Sequence, residues 1–267
     1  MDKISLVREF WNETPCDGQP NYALRSRFRY NKDAWLIPIL EGIAANHSNI
    51  LEVGCGQGTD GITLCSLLRS GSRYIGVDIS EVSLASARAA AADLGGALPV
   101  APVFRVENAE HLSFPDNYFD CVVSVGALHH SDSTERAIAE VRRVLVPGGS
   151  AFVFLYRTVS PRLLLAHALR ALQAALDALL RTNRVLYRWA RALGVGDRWG
   201  TAIYECFGAP ILRSYTRRGM QTLFRDFASV QLTSNGPHIF ASNTPCRSRS
   251  LTAEILGYLW LAEAVKG

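Results

Sequence analysis

From residue 50 to residue 156, short apolar runs alternate with segments of helical periodicity, the pattern of a parallel sheet whose crossovers are helices. The strands read as ILEVG (50–54), RYIGVDIS (73–80), PVFRVEN (102–108), FDCVVSVGAL (119–128) and SAFVFLY (150–156). Between them, Thr59–Arg69, Val82–Leu94 and Ser133–Val144 read as helices, the last opened by a Ser/Glu capping signal and stopped by Pro147-Gly148-Gly149. The regularity then breaks. Residues 161–193 are almost unbroken helix former, and the earlier pattern resumes only at TRRGMQTLFRDF (216–227), ahead of SVQLTS (229–234) as a sixth strand. GYLWLAEAVK (257–266) has a composition that permits a helix, but its glycine and aromatic start favour a seventh strand. Residues 1–46 are mostly helix and loop, with DAWLIPILEGIA (33–44) the clearest helix.

The expected architecture is therefore α/β: a Rossmann-like, seven-stranded, mostly parallel sheet with helices on both faces. The chain divides into an N-terminal helical cap (1–46), the core (47–156), a helical lid inserted after strand five (157–215) and the C-terminal part of the core (216–267). Composition changes this picture little. Of 267 residues 48% are hydrophobic and 19% charged, ordinary values for a globular chain, and the net charge of +4 is mild. MDKISLVREFWNE has no apolar signal-peptide core, and no charge-free run of 18 residues suggests a spanning helix. Six scattered cysteines without a C-x-x-C pair argue for reduced thiols in a cytoplasm, with no zinc or other metal site.

LEVGCGQGTDG (51–61) closes the first strand on glycines at positions 54, 56 and 58. Such a turn lets a backbone approach a nucleotide, and the residues around it say which. A dinucleotide site wants G-x-G-x-x-G, but here the third glycine comes one residue early. Glu52 lies two residues before the first glycine, where a carboxylate would repel a pyrophosphate and suit a ligand bearing an ammonium and a sulfonium, such as S-adenosylmethionine (SAM). No P-loop lysine follows, so a triphosphate is not expected. Asp78, at the end of strand two, can accept from both ribose hydroxyls.

The chain resembles the class I SAM-dependent methyltransferases, in the small-molecule branch that includes ubiquinone-type and natural-product enzymes. LEVGCGQGTDG resembles the first motif of that family and GVDIS the ribose-binding second. VENAEHLSFPDNYFDCVVSVGALHH resembles the adenine loop with strand four, and EVRRVLVPGGSAFVF the fifth-strand motif. The resemblance implies that Gly54, Cys55, Gly56 and Thr59 line the methionine portion, with Glu52 holding it directly or through water. It places Asp78 and Ile79 at the ribose and one adenine face, Ala109 and Glu110 over the adenine edge, and Val125 among the cofactor-binding residues. Asn108 stands where the family usually has Asp; its amide can still accept from the adenine amine and adds a donor. FRYNKDAW (28–35) resembles the stretch that closes over the cofactor in related enzymes, which brings Tyr30 and Arg29 toward the SAM carboxylate.

Methyl transfer is an in-line displacement, and a base is needed only if the acceptor must lose a proton. His129 and His130, directly after strand four, are the candidates, with packing or cofactor contact as the alternative role; His238 is a lesser one. In the lid, Arg162, His167, Arg170, Gln173, Asp177, Arg181, Arg184, Arg188 and Arg191 form one stripe at helical spacing on an otherwise apolar surface. Packing as a lid, with contact to a second subunit, is favoured as the cover of that surface over a lipid bilayer, and nucleic acid is not an expected partner. The acceptor is expected to be an apolar small molecule: a quinone, a lipid-like compound or a secondary metabolite. The alternatives are a SAM-fold protein that catalyses a cyclisation or rearrangement, or one that only binds SAM and a partner.

Overall fold

The computed structural model describes residues 2–15, 19, 21–194, 207–236 and 256–267. The strands are β1 (Asn49–Val53), β2 (Arg73–Asp78), β3 (Val103–Val106), β4 (Phe119–Val125), β5 (Leu145–Tyr156), β6 (Ser229–Asn235) and β7 (Leu259–Val265). They form one sheet in the order β3-β2-β1-β4-β5-β7-β6. The pairs from β3 through β5 are parallel, and β7 inserts antiparallel between β5 and β6. The C-terminal apolar segment is thus a strand, as its aromatic start suggested. Nine helices lie among the described residues: α1 (Lys3–Glu13), α2 (Tyr22–Lys32), α3 (Ile37–Asn46), α4 (Thr59–Leu67), α5 (Glu81–Leu94), α6 (Thr134–Val144), α7 (Pro161–Leu180), α8 (Val185–Ala192) and α9 (Arg217–Leu223).

Alternation along the central strands builds two cores, one on each face of the sheet. Cys121 and Val123 of β4 and Phe154 of β5 face a cluster with Leu40 and Ile43 of α3, Ile62 and Leu64 of α4 and Leu84 of α5. Val122 of β4 and Val153 and Leu155 of β5 face the other, with Ile138 and Val141 of α6 and Met220 of α9. The strand order reverses between β1 and β4, and in open α/β sheets a ligand crevice opens at the carboxyl ends of such a pair.

Two local expectations are corrected. Pro147-Gly148-Gly149 does not separate helix from strand, because β5 already begins at Leu145. The ladder with β4 shifts between Phe119 and Cys121, and Gly148 takes a left-handed φ of 78°, so the Pro-Gly-Gly forms an irregularity inside the strand. Residues 161–193 are two helices instead of one. Arg181 and Arg184 take left-handed φ values of 50° and 56°, and the turn between them is held by Asp177, whose carboxylate accepts from the amides of Arg184 (2.8 Å) and Val185 (2.9 Å). The 3–4 spacing of polar residues continues through this turn by sequence alone, so periodicity could not reveal it.

Candidate active site

The glycine loop is shaped by contacts that exclude side chains. Gly54, Gly56 and Gly58 have φ of 78°, 53° and 73°, a region open mainly to glycine. A Cβ on Gly54 would lie 2.1 Å from the Cβ of Ala127, and one on Gly58 would lie 2.8 Å from the Phe104 ring. The loop is tied to β2: the amides of Gly54 and Cys55 donate to the Val77 carbonyl at 2.7 and 3.0 Å. Asp78 then accepts from the Gly56 amide through Oδ2 and from the Ser80 amide through Oδ1, both at 2.8 Å. Burial raises the Asp78 pKa, while these backbone amides oppose the rise. Each of its oxygens keeps a lone pair for a further donor.

A cavity opens at the carboxyl ends of β1, β2 and β4. Gly54, Gly56, Asp78, Ile79, Asn108, Ala109, Val125 and His130 all line it, so eight of the expected site residues meet in one place. Asn108 Oδ1 accepts from the Glu110 amide at 3.0 Å, which fixes the turn beside the cavity. Val7 and Trp11 also line it, and these were not anticipated. They belong to α1, which is pinned to the start of α5 by Ser80 Oγ donating to Asn12 Oδ1 (2.8 Å). Nothing local marks Trp11 as a site residue, because its partners lie far along the chain.

The remaining expected residues are placed elsewhere. Glu52 is turned into the core behind the glycine loop, where it accepts from the Tyr74 hydroxyl. Burial, followed by the nearby Asp60, pushes its carboxyl up to about 8. Gly61 of α4 makes room for this pair, since a Cβ there would lie 1.8 Å from the Tyr74 oxygen. Tyr30 and Arg29 do not close over the cavity; they donate to Asp60 at 2.9 and 2.8 Å and clamp α2 onto the first turn of α4. Thr59 is a buried first residue of α4, its carbonyl accepting from the Thr63 hydroxyl at 2.9 Å. Cys55 is buried, its thiol pKa pushed well up by that burial and by Asp78. Glu110 accepts from the Ser133 amide (3.0 Å) and from Arg136 Nε (2.8 Å), anchoring α6 to the loop after β3. His238, Cys16, Cys206 and Cys246 lie outside the described residues.

The structure also separates the two histidines. His130 Nδ1 lies 2.6 Å from the Ile211 carbonyl, which can only accept, so Nδ1 carries the proton and Nε2 keeps its lone pair in the neutral ring. Trp11 meets this ring edge-on at 5.1 Å. His129 is fully buried against Tyr156, with ring centroids 3.9 Å apart, and neither of its nitrogens has a partner among the described residues. Burial, with His130 and Arg162 nearby, holds its pKa well below the usual value, so it stays uncharged.

Residues 51–153 match the family model for a methyltransferase domain. Over this stretch the chain is similar to methyltransferase domains, in keeping with its resemblance to the class I SAM-dependent family. A probable methyltransferase of Aspergillus luteorubrus is 36% identical over 131 residues, 47% of this chain and 44% of that one. A ubiquinone/menaquinone biosynthesis C-methyltransferase of Cupriavidus pinatubonensis is 40% identical over 82 residues, 31% of this chain and 32% of that one. The matches thus span less than half the length of these curated relatives. In fold, the chain is similar to a SAM-dependent methyltransferase of Thermotoga maritima (TM-score 0.61, 17% identity, 100% of both chains). It is also similar to the magnesium protoporphyrin IX methyltransferase of Synechocystis with bound S-adenosylhomocysteine (SAH), at TM-score 0.59 and 16% identity over 100% of both chains. The cavity residues fit the SAM cofactor of such domains: the close approach at Gly54 is one that a Cβ would fill, and the Asp78 carboxylate lines the same space.

Proposed function

We propose that this protein transfers a methyl group from SAM to an apolar small molecule. The observation that carries the reading is that the glycine loop, Asp78 and His130 line one cavity. Bound SAM supplies an electrophilic methyl on a sulfonium. Asp78 and Asn108 offer polar atoms to the nucleoside, and Ile79, Ala109 and Val125 give apolar contact. Val7, Trp11 and Leu128 supply further apolar wall, which favours a water-poor site and a hydrophobic acceptor such as a quinone, lipid-like compound or other metabolite. His130, which lines the cavity, is placed to take a proton where the acceptor must lose one. His129 packs beneath it and supports its ring.

Calorimetric titration tests the cofactor. Heat with SAM or SAH and none with NADH is expected; the reverse would overturn the reading. Asp78→Ala should weaken SAM binding by about 1.5–3 kcal/mol, the loss of hydrogen bonds to a charged acceptor, and unchanged affinity would place the ribose elsewhere. With an acceptor that loses a proton, His130→Ala should lower kcat by about 10²–10⁴-fold, and an unchanged kcat would assign the base to another group.

A further inference from the structure

We propose that the α7–α8 hairpin is a docking surface for an anionic lipid bilayer. The polar stripe of α7 is turned toward the protein. Arg170 Nη2 donates to the Ala209 carbonyl at 2.9 Å, Gln173 Nε2 donates to the Phe207 carbonyl at 2.6 Å, and Asp177 closes the turn into α8. The buried residues of this helix are Leu163, Ala166 and Gln173. Its opposite side holds leucines and alanines and faces outward: Leu164 is 62% exposed, Leu172 50% and Leu179 78%. In α8 and just beyond it, Trp189 and Leu193 are 65% and 77% exposed. An amphipathic helix normally shows water its polar side. A helix with the reverse arrangement carries an apolar strip that needs a cover.

Charge selects the cover. From residue 157 to residue 194 the chain carries seven arginines and one acid, Asp177; Arg170 is turned inward, Arg157 and Arg162 lie over Trp260 and Tyr258, Arg191 lies 3.4 Å from Glu13, and Arg181 and Arg188 are exposed beside Leu180 and Trp189. A second copy would bring two surfaces of the same sign together. Anionic headgroups complement the exposed Arg181 and Arg188, while the acyl boundary takes the leucines, and a tryptophan suits the depth between them. The helix lies on the bilayer instead of crossing it. Pro161–Leu180 has the length and composition to cross, but crossing would carry Arg170, Gln173 and Asp177 into hydrocarbon away from the partners they have here.

The surface is mechanically joined to the cavity. Tyr187 of α8 packs on Phe10 of α1, with centroids 6.0 Å apart, and shares a hydrogen bond with the Thr14 hydroxyl at 3.0 Å. Trp11, next to Phe10, lines the cavity. Docking would therefore set α1 beside the lipid, and, resting on the methyl-transfer reading, an acceptor dissolved in the bilayer would enter past that helix.

The test uses the full chain with extruded vesicles of phosphatidylcholine alone or of phosphatidylcholine mixed with phosphatidylglycerol, bound protein being read by sedimentation. Binding to the anionic vesicles, weakened by high salt, is expected. Leu172→Glu with Leu179→Glu should lower that partition about tenfold or more, through lost apolar burial. Both sites are exposed, so circular dichroism and SAM calorimetry of the variant should match the parent. Failure to bind anionic vesicles, or undiminished binding by the variant, would overturn the proposal. So would a concentration-dependent dimer that the same substitutions dissociate, since a second copy would then be the cover. Vesicle binding without heat from SAM would strike the methyl-transfer reading alone, and SAM heat without vesicle binding would strike the docking alone.

Discussion

α6 and α7 enter and leave the same strand, β5, yet they are seated with opposite chemistry inward. α6 buries Ala137, Ile138, Val141 and Val144 and leaves Glu135 and Arg136 outside. α7 directs Arg170, Gln173 and Asp177 toward the protein and leaves its leucines outside. Both are amphipathic, so amphipathicity alone says that two faces differ and not which one is buried. The surface that each helix lies against makes the choice. α6 lies on a sheet face of Val122, Val153 and Leu155, where any buried polar group would lack a partner. α7 lies over main-chain carbonyls at Phe207 and Ala209 and the amide end of α8, which need donors and acceptors.

The sharpest way to break this comparison is to give each buried face the chemistry of the other. Val141→Asp in α6 should destabilise the protein by about 3–5 kcal/mol, the cost of an uncompensated buried charge, measured by denaturant unfolding. A loss below 1 kcal/mol would mean that α6 is not seated as described. In α7 the inward Gln173 bonds the Phe207 carbonyl and accepts from the Tyr187 amide at 3.0 Å. Gln173→Leu should therefore cost about 1–3 kcal/mol by leaving both groups unpaired. Neutral or increased stability would show that the inward face of α7 wants apolar side chains after all.

The core has its own inward polar group, and it responds to pH. Glu52 has a carboxyl raised to about 8 from a usual 4.5, chiefly by burial. The folded state then keeps a proton that the unfolded chain releases, so the stability from this site is complete below about pH 4.5 and is lost as the pH rises through 8. Glu52→Gln should flatten the fall in Tm between those limits, and an unchanged slope would assign the dependence to other groups.

Much of the fold and part of the site were legible because local patterns carry them. The alternation in FDCVVSV places Cys121 and Val123 on one face and Val122 on the other without reference to any distant residue. The glycines after β1 and the acid after β2 are likewise marked by their positions at strand ends, and both line the cavity. Glu52 has the same kind of mark, yet its side chain points into the core. The side of a strand residue is fixed by its parity, and Val53 is the neighbour that faces the cavity. Tyr30 and Arg29 were drawn toward the cofactor by resemblance, but Asp60 lies within their reach and takes both.

By itself the sequence determined the order of strands and helices, the seven-stranded α/β class and the cavity-lining residues Gly54, Gly56, Asp78, Ile79, Asn108 and Ala109. These follow from short-range rules: side-chain period, glycine conformations and the placement of polar groups at strand ends. The tertiary structure alone decided which histidine reaches the cavity, that α1 supplies Val7 and Trp11 to its wall, and that the hairpin turns its polar stripe inward. The reason is the same in each case. Burial and hydrogen-bond satisfaction are settled between partners far apart in the chain, such as Trp11 with His130 or Gln173 with Phe207, and no local period encodes such a pairing.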